Sequence, residues 1–302
     1  MHISNAMLHG SVCPVTAVAA AAGLTAAAWA ASKCKTKPTA ARFAAVSALV
    51  FASQMMNFPV QSGTSGHLLG GVLASVVLGT PFGILSTALV LTVQCLLFSD
   101  GGLAVLGANI LNMSLVGAGV GGWLAGSLKE RSVPTFARIG LAAWVSVVLA
   151  AGALSVELAL AGAIPFFKCA PMMIGIHALI GVGEALLTVA AVGLLTDRES
   201  TSRMGRFVPA VAAMVIALVL SPFACGFPDG LEWVSERFAL LHDAAPAFVA
   251  PLNGYALPGL PAGGISTALA GLAGVLVVLV AGSLIASSWN RHRAAHGKGG
   301  AG

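Results

Sequence analysis

Residues 1–37 read MHISNAMLHGSVCPVTAVAAAAGLTAAAWAASKCKTK. From Val12 to Ser32 the run is apolar and long enough for one bilayer crossing, which takes about 20 residues. No Lys or Arg precedes it, whereas Lys33, Lys35 and Lys37 follow at once. A cleaved signal peptide has the reverse order, with its positive charge ahead of the apolar run. Ala28-Trp29-Ala30 is therefore not read as a processing site. The segment is kept as a membrane helix with the N-terminus outside.

The rest of the chain extends this pattern. Of its 302 residues 58% are hydrophobic and 8% charged, with a mean hydropathy of +0.94. A soluble domain carries about 25% charged residues, so the fold class is all-α, a polytopic integral membrane protein. Nine spanning segments are expected, at 12–32, 40–58, 67–79, 82–98, 103–127, 139–162, 171–195, 207–225 and 264–287. Basic residues fall on alternate connections. Lys33, Lys35, Lys37 and Arg42 lie in one, Lys129, Arg131 and Arg138 in the next, then Arg198, Arg203 and Arg206, then Arg291, Arg293 and Lys298. That places 13 of the 15 on one side, leaving Lys168 and Arg237 on the other. The positive-inside rule makes the richer side cytoplasmic. The net charge of +5 is thus a topological signal and not a nucleic-acid surface. Cys13, Cys34, Cys95, Cys169 and Cys225 are odd in number and lack CxxC spacing, so they read as packing residues.

Met1-His2 carries the first chemistry. Its free amine, the His2 amide nitrogen and the His2 Nδ1 can close fused five- and six-membered chelate rings on one metal ion. Three nitrogens then lie in one plane and a fourth in-plane position stays open. Square-planar nitrogen sites favour Ni(II) or Cu(II) over zinc, calcium or magnesium. The bulk of His2 disfavours removal of the initiator Met, so the amine is expected to survive. The loop from Phe58 to Gly66 is expected on the same outer face and ends at His67, a competent fourth ligand. Its glycines would let backbone fold close to an inserted N-terminal strand.

These residues sit within a longer pattern. Met1-His2-Ile3, Ser62-Gly63-Thr64-Ser65-Gly66-His67-Leu68-Leu69-Gly70-Gly71, Gln94 to Leu97, Asp100-Gly101-Gly102-Leu103, Leu106 to Ile110, Asn112-Met113 and His177 to Ala185 run in order. In this the chain resembles the nickel/cobalt substrate-binding (S) components of energy-coupling-factor transporters, the NikM/CbiM family. The resemblance implies a seven-helix S component over residues 1–205, a threaded N-terminus, and a square-planar metal held by Met1, His2 and His67. It further implies capture of Ni(II), with Co(II) uptake for cobalamin synthesis as the alternative. The partners implied are a transmembrane T subunit and two cytosolic ATPase subunits, all at the inner membrane. One departure is that Asn5 and Ala6 stand where the family often has an acidic residue and Gly. Phe227-Pro228-Asp229-Gly230-Leu231-Glu232 resembles the PDGLE module of nickel and cobalt uptake systems. That implies a two-helix accessory module over 206–302, with an outer loop at 226–263 and a cytoplasmic tail.

Other residues carry two readings each. His177 and Glu184, seven apart, share one helical face, either as a buried packing pair or as support for the metal site. Asn109 and Asn112 invite the same pair of readings. Asp100 reads as a helix N-cap, and Asp229 with Glu232 as an exposed turn opening a helix. His9, His292 and His296 are read as non-ligating. Ala44, Ala48 and Ala52 form a small-residue stripe for close helix approach, either inside the chain or against the T subunit. No phosphate-binding loop of the Gly-x-x-x-x-Gly-Lys-Ser/Thr kind is present. Neither is a Ser/His/Asp or paired-carboxylate arrangement, so the chain is not read as an enzyme and energy must come from a partner. A membrane metal sensor or intramembrane metalloenzyme using His2, His67 and His177 is the rival. A catalytic metal keeps a position open for water, which a closed four-nitrogen site lacks.

Overall fold

The computed structural model describes residues 1–5, 7–61, 63–199, 207–240, 248–261 and 263–296, without the side chains of 197–199 and 290–296. Ala6, Ser62, Arg203, Arg206, Lys298 and the side chains of Arg198, Arg291, His292, Arg293 and His296 lie outside the described set. The chain is helical apart from one short antiparallel ribbon. In order, α1 spans Val12–Lys33, α2 Ala40–Gln54, β1 Phe58–Pro59, β2 Ser65–Gly66 and α3 Gly71–Leu78. Then come α4 (Thr80–Phe98), α5 (Leu106–Glu130), α6 (Thr135–Leu160), α7 (Phe166–Glu199), α8 (Val208–Phe223), α9 (Gly230–Arg237) and α10 (Gly264–His296). Among the described residues six helices are long and apolar enough to cross a membrane, namely α1, α4, α5, α6, α7 and α10. The protein is therefore a multi-pass membrane protein. Helices α2 and α8 are apolar but shorter.

Local chemistry explains the ends of these elements. Lys33 stands in the last turn of α1, at the negative end of its dipole. The Thr39 side chain caps α2 by accepting from Arg42 N. Pro81 sits in the first turn of α4, where its missing N–H costs nothing. The last turn of α4, Gln94–Phe98, is a π-helix, as is the Ile110–Val120 stretch of α5. Such wide turns re-aim side chains and occur often at functional sites.

The third segment differs from expectation. Helix begins at Gly71, not at residue 67, and residues 64–70 run buried and non-helical between the other helices. Irregular backbone at membrane depth is tolerated only where protein groups satisfy it. Here Glu184 on α7 accepts from Leu69 N at 2.7 Å and Gly70 N at 3.0 Å. Gln54 Nε2, at the end of α2, donates to Leu69 O at 2.7 Å. Gly70 turns the chain into α3 at φ 70, a left-handed value suited to glycine. Helix α3 then passes so close to α5 that a Cβ on Gly71 would stand 2.6 Å from Ala118 N.

Two apolar clusters fill the bundle. One gathers Met1, Ile3, Met7 and Leu8 with the outer parts of α5, α6 and α7 and with Leu231 and Val234 of α9. The other packs α2, α3 and α4 against α10. Ala44, Ala48 and Ala52 are buried within it, with Ala44 meeting Gly282 of α10. This small-residue stripe is thus covered inside the chain, and the T-subunit reading of it does not hold. The five cysteines are free thiols.

The close crossing of α3 and α5 makes a prediction. Gly71→Ala should lower stability by about 1–3 kcal/mol, the usual cost of overpacking. Gly126→Ala, with nothing within 4 Å of the added carbon, should not. Thermal unfolding of the two variants beside the parent protein checks this; equal melting would contradict it.

Candidate metal centre

The N-terminal segment threads into one end of the bundle, burying Met1 and Ile3 to 4% and 1% exposure. Asn109 on α5 holds it there, accepting from Ile3 N at 2.8 Å and donating to Ile3 O at 3.2 Å. Gly102 N donates to the same carbonyl at 2.8 Å. Asn5 accepts from Ala104 N at 3.0 Å, so an amide tethers the loop although the acidic residue is missing. His9 is exposed.

The three residues expected to bind metal converge. The Met1 amine lies 2.7 Å from His67 Nε2, and the His2 and His67 rings stack nearly parallel with centroids 5.2 Å apart. His67 Nδ1 donates to Leu68 O at 3.0 Å, which leaves the Nε2 lone pair facing the amine. Glu184 fixes the backbone just after His67 by accepting from the Leu69 and Gly70 amides. His177 is buried, bonded through Nδ1 to Met173 O, and its ring packs against Gly230. Asn112 does not approach the strand and instead donates to Glu157 at 2.7 Å.

The acidic groups do more than the sequence reading gave them. Asp100 caps no helix; its Oδ1 lies 3.2 Å from His2 Nδ1, and its Oδ2 accepts from Tyr255 at 2.6 Å. Asp229 does cap α9, in a capping box with Glu232, but it uses only Oδ1 for that. Its Oδ2 forms an ion pair with the Met1 ammonium and lies 3.8 Å from His67 Nε2. Backbone stitching puts it there. Ser65 N donates to Pro228 O at 2.8 Å, Ser65 Oγ to Phe227 O at 2.7 Å, and Cys225 N to Asn57 O at 2.9 Å. Glu157 was not singled out at all. Its signal was present, a lone carboxylate in an apolar segment.

The electrostatics suit a cation. Burial, then the neighbouring ammonium and His2, push the His67 imidazole down to about 3, so it stays neutral. Burial also lowers His2, against the pull of Asp100. Burial alone would raise Asp229, but the ammonium and His67 hold it well below the usual carboxylate range. Burial raises Glu232, and Asp229 adds to that. His2 Nε2 faces Gln94 Oε1 at 3.2 Å, so both ring nitrogens face acceptors. A neutral ring then turns one lone pair toward an acceptor, the Asp100 carboxylate when Nε2 carries the proton, and a cation placed between them relieves that repulsion. Among the described residues no three His, Cys, Asp or Glu side chains cluster as a metal site. A chelate built from an amine and a backbone nitrogen needs only two such side chains.

Acid should loosen this arrangement. Folded His67 refuses a proton that the unfolded chain accepts below pH 6.5, so stability should fall as pH drops from 6.5 toward 3. Asp229, ordinary value 3.8, adds a further loss below that pH. Compared with the parent in the metal-free state, His67→Gln should lose less melting temperature as pH falls across this window. Equal pH slopes of the two proteins from pH 7 to 5 would contradict the assignment.

Comparison with known proteins is consistent with this geometry. The family profile described as cobalt uptake substrate-specific transmembrane region matches residues 2–202, and the PDGLE domain profile matches 206–291. A putative fused nickel transport protein NikMN of Archaeoglobus fulgidus is 35% identical over 254 residues, covering 80% of this chain and 83% of that one. The fused nickel transport protein NikMN of Rhodobacter capsulatus is 28% identical, covering 73% and 72%. The cobalt transport protein CbiM of Sorangium cellulosum is 31% identical, covering 51% and 72%. A solved structure of a transition metal transporter superposes with a TM-score of 0.59 at 29% identity, covering 68% of this chain and 97% of that one.

Proposed function

Because the chain belongs to the cobalt uptake substrate-specific transmembrane family, with a PDGLE domain behind it, we propose that it captures Ni(II) outside the cell and delivers it inward. The metal sits in a square of four nitrogens. These are the Met1 amine, the His2 amide nitrogen, His2 Nδ1 and His67 Nε2. In that square the amide nitrogen lies between the amine and Nδ1, so His67 is cis to the amine. Metal–nitrogen bonds of about 2.0 Å put cis nitrogens about 2.8 Å apart. The 2.7 Å separation of the Met1 amine and His67 Nε2 is the observation that carries the reading.

Nickel is favoured over cobalt because Ni(II) deprotonates a peptide nitrogen more readily. Relatives named as fused nickel transport proteins match 80% and 73% of this chain. The family matches at 2–202 and 206–291 support a division into an S component at 1–205 and a module at 206–302. In this reading the subunit is not an enzyme. It resides in the inner membrane with its N-terminus outside and its C-terminus in the cytoplasm. A transmembrane T subunit and two cytosolic ATPases supply the energy that turns it inward.

The amine and the amide must each shed a proton to ligate. Titration calorimetry with Ni(II) in buffers of different ionisation enthalpy should give a release of about two protons per metal. A one-residue extension before Met1, which moves the amine and shifts His to the third position, should abolish or reorganise binding, and His2→Ala should abolish it. Tight binding to the extended protein that still requires His67 would overturn the chelate.

A further inference from the structure

Glu157 and Asn112 lie apart from the metal centre, bonded to each other and to none of its residues. Asn112 belongs to the π-helical stretch of α5, and Glu157 stands one turn before the C-terminal end of α6. They are buried to 2% and 5% exposure, Asn112 the deeper. Asn112 Nδ2 donates to Glu157 Oε2 at 2.7 Å, which joins the two helices. The remaining oxygens, Glu157 Oε1 and Asn112 Oδ1, are enclosed and have no hydrogen-bond partner. Two buried acceptors thus sit in the seam between α5 and α6 with no donor to serve them, which is costly.

No cation balances this carboxyl group. Helix α6 packs against α3, α5 and α7. Among the described side chains, the charged and titratable groups on these four helices are Arg138 of α6, Lys129 and Glu130 of α5, and Lys168, Cys169, His177 and Glu184 of α7; α3 has none. None of them forms an ion pair or hydrogen bond with Glu157. The Met1 ammonium is taken by Asp229. An ionised carboxyl group buried without a countercharge is unfavourable in a membrane helix, and such a group neutralises instead.

The oxygens select the ligand. A proton on Glu157 Oε1 removes the charge and turns that oxygen into a donor. Turning the Asn112 amide over gives no other escape. Its oxygen would then stand 2.7 Å from Oε2, a contact two acceptors keep only with a proton between them. A water molecule would serve the acceptors but leave the charge. A metal cation fits poorly, since two enclosed oxygens are free where a hard cation takes about six. We propose that Glu157 and Asn112 form a proton-binding site between α5 and α6, and that the bound proton holds this seam closed. The site does not depend on the metal-uptake reading, yet it bears on the N-terminal segment. Asn109, about one turn earlier on α5, holds Ile3 through both its amide and its carbonyl. Loss of the proton puts an unbalanced charge in the seam and loosens that grip.

Infrared difference spectra of the full chain in detergent, parent minus Glu157→Gln, test the site. Gln keeps an acceptor for Asn112 Nδ2 and puts an N–H where the proton would be, so the variant should fold. At pH 7 the parent should show the carbonyl stretch of a protonated carboxylic acid that the variant lacks. Asn112→Leu should keep that band and move it to higher frequency, since its hydrogen bond is gone. Melting gives a second readout. The folded chain keeps a proton that an unfolded glutamate gives up above about pH 4.3. Rising pH therefore favours the unfolded parent by up to about tenfold per unit. Between pH 5 and 8 the parent should lose more melting temperature than Glu157→Gln. A carboxylate band at pH 7 in place of the acid band, with or without sodium present, overturns the proton site. Equal pH slopes of the two proteins, or a band that Asn112→Leu leaves unmoved, would also overturn it.

Discussion

A positive chain terminus buried inside a membrane protein must be paired, because an uncompensated buried charge costs several kcal/mol. Here the Met1 ammonium lies between a neutral imidazole, His67, and a carboxylate, Asp229. Much of the outer half of the molecule follows from that requirement. The strand must reach the interior, so Asn109 and Gly102 grip Ile3 on both sides. His67 must reach the same point, so residues 64–70 forgo helix and lie extended in the core. Their orphaned amides fall to Glu184, which in turn fixes where α3 begins.

The C-terminal module is part of this arrangement and not an appendage to it. Its Asp229 serves two masters through two oxygens, one capping α9 and one pairing with the amine. Its later turn brings Tyr255 onto Asp100, which in turn faces His2. Deeper in the bundle, α10 covers the small-residue stripe of α2. A charge from the module therefore completes the electrostatics of a site whose nitrogens all belong to the N-terminal body. When a cation replaces the ammonium's protons, the same carboxylates face it.

Much of this was legible in the residues. The long apolar runs marked the membrane helices. Met1-His2 and His67, singled out from local chelate chemistry, are brought together in the fold. The non-helical stretch before Gly71 was not, since apolar Leu68 and Leu69 look helical until Glu184, 115 residues beyond Leu69, takes the amides of Leu69 and Gly70. Asp100 and Asp229 were incompletely legible for the same reason. Each invites a local reading as a cap, which holds for Asp229 and not for Asp100, and only tertiary pairing across 98 and 228 positions shows what each carboxylate faces. Gln54 carries no local signal, and Gln94 only its place in the family pattern; what each does shows in what it faces.

The central claim is that four nitrogens from the chain's first two residues and His67 surround the metal in one plane. Nickel K-edge X-ray absorption on the loaded protein tests it most directly. The account predicts four short nitrogen scatterers, imidazole multiple scattering, and the pre-edge feature of a square-planar ion without axial ligands. A six-coordinate shell of longer oxygen and nitrogen distances would contradict it.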